Sequence, residues 1–187
     1  MTIDNPGLEK IKIVVFGEAD VGKTTLVSQI SPKATSIEHS CRDGHRITVG
    51  FDIGKINIGG YMLYFFGTPG QTRFEFARQI VSQGAHIGIL LIDSEAAGKR
   101  GIIDREKLME QEMIDEGLPY LVCANKRDLE DIMPLENIQQ HFKAPVLPIA
   151  AKTAQGMDSL TNALIDILEA HKETRQNSSF SKVAFAG

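Results

Sequence analysis

Short apolar runs bounded by turn residues alternate along this chain with stretches whose apolar positions recur every three or four residues. The first pattern predicts strands, and the second predicts helices packed by one face. Residues 10–16 read as a buried strand, and residues 25–30 as the helix that follows it. The runs 49–58 and 61–66 are separated only by Gly59-Gly60, which predicts a hairpin with a two-residue turn. Residues 72–83 carry Phe76, Ile80 and Val81 at helical spacing and are expected to pack on the sheet. A strand over 85–92 comes next, then a charged helix ending near Glu116-Gly117. Ile102, Met109 and Met113 mark that helix's buried face, and its acids read as a solvated one. A strand at 119–124, a short helix at 135–142 and a strand at 146–150 precede a last amphipathic helix marked by Leu160, Leu164, Ile167 and Leu168.

Strands alternating with helices predict an α/β fold of three layers rather than separate all-β and all-α parts. The sheet is expected to be mostly parallel and six-stranded, with one antiparallel edge strand from the hairpin and about five helices around it. Residues 1–9 read as an N-terminal extension, 10–171 as the domain and 172–187 as a poorly ordered tail. The polar stretch 31–46 reads as a long mobile loop.

At 187 residues the chain is long enough for one self-sufficient core. Its net charge of −4, with no cluster of Lys and Arg, gives no support to nucleic-acid binding or an anionic membrane surface. The longest apolar run is too short to span a bilayer, and no secretory pattern opens the chain, so a cytoplasmic protein is expected. No prenylation cysteine or myristoylation glycine appears, leaving a lipid anchor unsupported. Cys41 and Cys123 have no metal-site spacing, and Cys123 reads as a small core residue.

Chemistry enters with Gly17-Glu18-Ala19-Asp20-Val21-Gly22-Lys23-Thr24, an uninterrupted match to G-x-x-x-x-G-K-[ST] placed between a strand and a helix. Backbone N–H groups can approach phosphate oxygens closely only where glycines allow it, and the helix N-terminus favours the anion. The pattern makes Asp20, Val21, Gly22, Lys23, Thr24 and Thr25 candidates for holding a nucleoside phosphate. Lys23 would meet the β- and γ-phosphates, and the Thr24 hydroxyl would ligate Mg²⁺.

Asn125-Lys126-Arg127-Asp128 follows a strand directly, so it lies at the carboxyl edge of the sheet with the phosphate loop. An aspartate there can accept from the N1–H and exocyclic amine of guanine, whereas adenine offers no such donor pair. Asn125 would brace the loops, and the Lys126 stem can lie over the purine.

With these motifs the chain resembles the Ras-like small GTPases of the P-loop NTPase superfamily, over residues 8–170. The resemblance implies that Ala150, Ala151 and Lys152 stand where the family's S-A-K loop offers a backbone N–H to guanine. It makes Thr48 the switch threonine that senses Mg²⁺ and the γ-phosphate, with Thr35 as the rival. It also implies that Gly70 presents its N–H to the γ-phosphate and that Gln71 orients the attacking water.

The third motif departs from the family's D-x-x-G-Q, reading Gly67-Thr68-Pro69-Gly70-Gln71. The missing carboxylate would have held Mg²⁺ through a water, and either Asp93 or Asp52 could replace it. This T-P-G-Q form is similar to a prokaryotic subgroup that includes bacterial polarity and gliding GTPases and signalling-operon GTPases. That subgroup implies a roadblock-type protein as activator or effector. The expected activity is a guanine-nucleotide switch that binds GTP or GDP with Mg²⁺ and hydrolyses GTP slowly, Lys23, Gly70 and Gln71 being its catalytic set. Arg46, Arg73 and Arg78 are candidates for an arginine supplied in cis. Gly67, with Ala19 crowding Gln71, motivates an alternative, a non-hydrolysing GTP-binding scaffold. An ATPase or nucleotide kinase conflicts with the 125–128 motif.

Overall fold

In the computed structural model, which describes residues 7–31, 38–40, 46–48, 52–70 and 75–183, the first apolar run becomes strand β1 (Glu9–Phe16) at the middle of a sheet. After it come α1 (Lys23–Ile30), β2 (Glu38–Ser40), β3 (Arg46–Thr48), β4 (Asp52–Ile58) and β5 (Tyr61–Gly67). The chain continues through α2 (Glu75–Ser82), β6 (Ile87–Asp93), α3 (Ser94–Arg100), α4 (Asp104–Asp115) and β7 (Tyr120–Asn125). It closes with α5 (Leu135–Gln139), β8 (Val146–Pro148), a 3-10 turn (Ala151–Thr153) and α6 (Met157–Val183).

The main sheet has six strands in the order β4-β5-β1-β6-β7-β8. All neighbours are parallel except β4 and β5, as the mixed sheet was expected to be. Gly59 and Gly60 join those two strands with φ of 59° and 81°, the positive pair that a type I′ turn requires. Alternation along β1 sends Ile11, Ile13 and Val15 to one face, against α1 (Leu26, Val27) and α6 (Leu160, Leu164, Leu168). Val14 and Phe16 go to the other face, against Met109 and Met113 of α4 and Ile138 of α5. Each such buried side chain contributes about 1.5–3 kcal/mol, and the two clusters fix three layers.

Four expectations change. The polar stretch 31–46 contains β2, whose Glu38 to Ser40 pair antiparallel with Thr48 to Arg46 of β3. The single charged helix is two, α3 and α4, because Gly101 breaks it at φ 76°, which makes six helices among the described residues. Phe76 and Ile80 do not pack on the sheet; they are 73% and 49% exposed. Helical spacing defines a face without saying what it faces, and a buried residue of α2 is Arg78, whose guanidinium meets Glu112 of α4 at 3.4 Å. The acids of α4 are not all solvated. Glu106 is buried, accepting from Ile103 N at 2.9 Å and pairing with Arg100 at 2.9 Å. Glu110 is buried too, accepting from Tyr120 Oη at 2.9 Å and Lys143 N at 2.7 Å.

Helix α6 runs through residues 172–183 of the expected tail, and Lys172 meets Glu9 at 3.0 Å. Among the described residues no helix is long and apolar enough to cross a membrane.

Candidate functional site

Strand β1 delivers the chain into Gly17 at φ 142°, and Gly22 at φ 100° starts α1. Neither glycine has room for a side chain. A Cβ on Gly17 would come 2.7 Å from the Leu91 carbonyl oxygen, and one on Gly22 would come 2.5 Å from Asn125 Nδ2. Asp20 also takes a left-handed turn, at φ 60°. The loop curls around Lys23, whose Nζ donates to the carbonyls of Gly17 at 2.9 Å and Glu18 at 2.5 Å. Burial draws the Lys23 ammonium down to about 8, against the opposing pull of the Glu18, Asp52 and Asp20 carboxylates.

At the other side of the loop, Thr24 Oγ1 donates to Asp52 Oδ2 at 2.6 Å. Asp52 opens β4 directly opposite Gly67, and a Cβ on Gly67 would lie 2.9 Å from that same oxygen. The glycine that stands in place of the third motif's aspartate therefore leaves space for a carboxylate on the neighbouring strand. Asp52 is 2% exposed, and its Oδ1 has no hydrogen-bond partner among the described residues. A buried, unpaired carboxylate oxygen beside a threonine hydroxyl is a hard-oxygen donor set that fits Mg²⁺, whose remaining positions water and phosphate fill. Asp93 is engaged elsewhere. Its Oδ1 accepts from the Glu95 and Ala96 amides at the start of α3, and its Oδ2 pairs with Lys126 at 2.6 Å. Of the two replacements that the sequence left open, only Asp52 stands beside Thr24.

Asn125, at the end of β7, joins the loops. Its Nδ2 donates to the Val21 carbonyl at 2.9 Å, and its Oδ1 accepts from the Ala151 amide at 2.9 Å. Ala150 and Ala151 are buried, while Asp128 and Lys152 are exposed. Lys126 sits at φ 64°, and Arg127 N donates to the Ile149 carbonyl at 3.2 Å, so the 125–128 turn is held against the continuation of β8.

After β5, Thr68 ties the chain to β1, its N and Oγ1 both donating to the Val15 carbonyl, at 3.1 and 3.0 Å. Gly70 then lies directly on the phosphate loop, where a Cβ would come 2.6 Å from the Glu18 carbonyl oxygen. Two residues missed by the sequence reading meet here. Arg105 Nη1 donates to Glu18 Oε2 at 2.8 Å, and its Nη2 lies 3.4 Å from the Gly70 carbonyl oxygen. No local pattern flags a pair so far apart in sequence. Thr48 closes β3, opposite Glu38. Gln71, Thr35 and Arg73 lie outside the described residues, and Arg46 opens β3.

A model of the ADP-ribosylation factor family matches residues 4–172. The chain is 30% identical to an uncharacterized protein of Methanocaldococcus jannaschii, over 84% of this chain and 96% of that one. It is 27% identical to ADP-ribosylation factor-like protein 3 of Saccharomyces cerevisiae, over 89% and 90%. Among solved structures it resembles elongation factor SelB of Methanococcus maripaludis in complex with the GTP analogue GppNHp, at a TM-score of 0.67 and 19% identity. That match takes in 87% of this chain and 34% of the elongation factor. A point variant of Aquifex aeolicus Era bound to GDP·AlF4⁻ gives a TM-score of 0.66 at 19% identity, over 86% of this chain and 57% of Era.

Proposed function

Since this chain belongs to the ADP-ribosylation factor family of Ras-like small GTPases, we propose that it is a guanine-nucleotide switch that holds GTP or GDP with Mg²⁺ and hydrolyses GTP slowly. The observation that carries this reading is Asn125, which joins the phosphate loop at Val21 to the 150–152 loop, making one continuous cradle for base and phosphates. Asp128, exposed on the turn after β7, accepts from the guanine N1–H and amine. The amides of Ala151 and Lys152 flank guanine O6, and the Lys126 stem covers the purine face.

Lys23 spreads the charge of the β- and γ-phosphates, with the loop amides of Asp20 to Thr25 beneath them. Thr24 and Asp52 would hold Mg²⁺, and the ion when bound would neutralise phosphate charge. Gly70 gives its N–H to the γ-phosphate, and Gln71 aligns water for in-line attack. Thr48 senses the γ-phosphate from the switch segment, so hydrolysis releases that segment and changes the surface offered to partners. The Ala19 side chain, where many fast GTPases carry glycine, would crowd the attacking water and keep the intrinsic rate low. A protein activator or effector completes the cycle in the cytoplasm, and the T-P-G-Q motif favours a roadblock-type protein.

Displacement of a fluorescent GDP by GTP, GDP and ATP tests the base assignment. GTP and GDP compete and ATP does not, and Asp128→Ala abolishes the preference; a site preferring ATP overturns the reading. Single-turnover phosphate release tests hydrolysis. Release that never exceeds the buffer rate while GTP stays bound, with any candidate activator, removes the hydrolytic step.

A further inference from the structure

Gly70 rests on the Glu18–Ala19 peptide, and a single guanidinium spans the junction from outside the nucleotide cradle. Arg105 is the second residue of α4, a helix whose start is fixed by the buried pairing of Glu106 with Arg100 and the Ile103 amide. From that position one nitrogen of the fork pairs with the Glu18 carboxylate and the other faces the Gly70 carbonyl. The pair is mostly shielded, its side chains being 32% and 18% exposed, and Glu18 Oε1 is buried with no partner among the described residues. A planar fork serves two acceptors at once only while both are in place.

We propose that Arg105 is a positioning residue that seats the third-motif loop on the phosphate loop and thereby sets how well this chain distinguishes a γ-phosphate from its absence. This rests on the guanine-switch reading, in which the Gly70 N–H meets the γ-phosphate. Glu18 stands two residues beyond β1 and Arg105 in the first turn of α4, so their pair forms without any contribution from the third-motif loop. The contact to Gly70 exists only when the loop is seated. It therefore biases the loop toward that arrangement and holds the Gly70 carbonyl that it contacts. A nucleotide that uses the seated loop gains from this bias, and GDP does not, since a bias shifts affinity only for the ligand that distinguishes the two arrangements.

Affinities for GppNHp and GDP, measured with Mg²⁺ in the full chain, test the proposal. Arg105→Ala weakens GppNHp about five- to tenfold, the range expected of a modest coupling between sites, and leaves GDP affinity unchanged. Arg105→Lys keeps the charge but not the fork and falls between the two. Glu18→Gln removes the anchor charge and shifts the ratio in the same direction, and combining it with Arg105→Ala adds nothing further. Equal losses for GDP and GppNHp, which a general stabilising role produces, overturn the proposal, as does no loss for either. A wild-type chain that binds neither nucleotide overturns the guanine reading itself, and the proposal falls with it.

Discussion

Asn125 and Ala151 are joined by a 2.9 Å hydrogen bond between the asparagine Oδ1 and the alanine amide, while the other end of the same side chain holds Val21. One buried amide thus keeps three loops at a common edge of the sheet. Asn125→Ala strands a carbonyl and an N–H in a buried setting at about 1–3 kcal/mol each. The expected outcome is a lower Tm by circular dichroism and GDP affinity weaker by at least about tenfold. Asn125→Asp retains the acceptor but loses the donor, and falls between the two.

The Asp52–Gly67 arrangement predicts how Mg²⁺ dependence responds to moving a carboxylate between strands. Asp52→Asn raises the Mg²⁺ concentration that retains nucleotide by about 10- to 100-fold, as loss of an outer-sphere partner does. Dissociation of fluorescent GDP across a Mg²⁺ titration reads this directly. Gly67→Ala has a smaller effect in the same direction, because its Cβ presses on Asp52 Oδ2. Asp52→Ala combined with Gly67→Asp recovers part of the loss, since the two positions face each other.

Lys23 gives a pH prediction. In the free protein burial holds its ammonium at about 8, and phosphate bound against it raises that value. The ammonium's contribution to affinity is therefore complete below pH 8 and is lost as pH rises toward the bound-state value. GDP binds about fourfold more weakly at pH 8.5 than at pH 7, with proton uptake visible by calorimetry in buffers of different ionisation enthalpy. The free protein behaves oppositely through this group, gaining stability as pH climbs from 8 toward 10.5, where only the unfolded chain keeps the proton.

Much of this site could be read from local spacing. The loop at 17–24 and the turn at 125–128 each complete their chemistry within a few residues, and Gly59-Gly60 announced the hairpin because both need positive φ. What local spacing could not give was set by partners across the sheet. Asp52 and Asp93 both end up beside the edge of the cradle, and only the bond from Thr24 and the space left at Gly67 separate their roles. Glu106 and Glu110 resembled a solvated acidic face because their hydrogen-bond donors come from the preceding loop and from distant residues such as Tyr120 and Lys143. Phe76 and Ile80 misled for the reverse reason, since apolar spacing marks a helix face without saying what covers it, and theirs is largely exposed.

Cys123 predicts chemical silence. It is fully buried, and burial pushes its thiol up to about 12, so almost no thiolate forms near neutrality. Alkylation followed by mass spectrometry should leave Cys123 unmodified in folded protein and label it once denaturant exposes β7.

Asp52 begins a strand only a few residues after Thr48 ends one, so both lie on a single short stretch of backbone. A family pattern with the acid at the end of β5 would let the metal report to the third motif. In the proposed switch the Asp52 carboxylate belongs to the same length of chain as Thr48, so ion and switch would be mechanically continuous. Loss of the metal would then slacken the segment from its own end, and a partner pulling on it would loosen the grip on the metal.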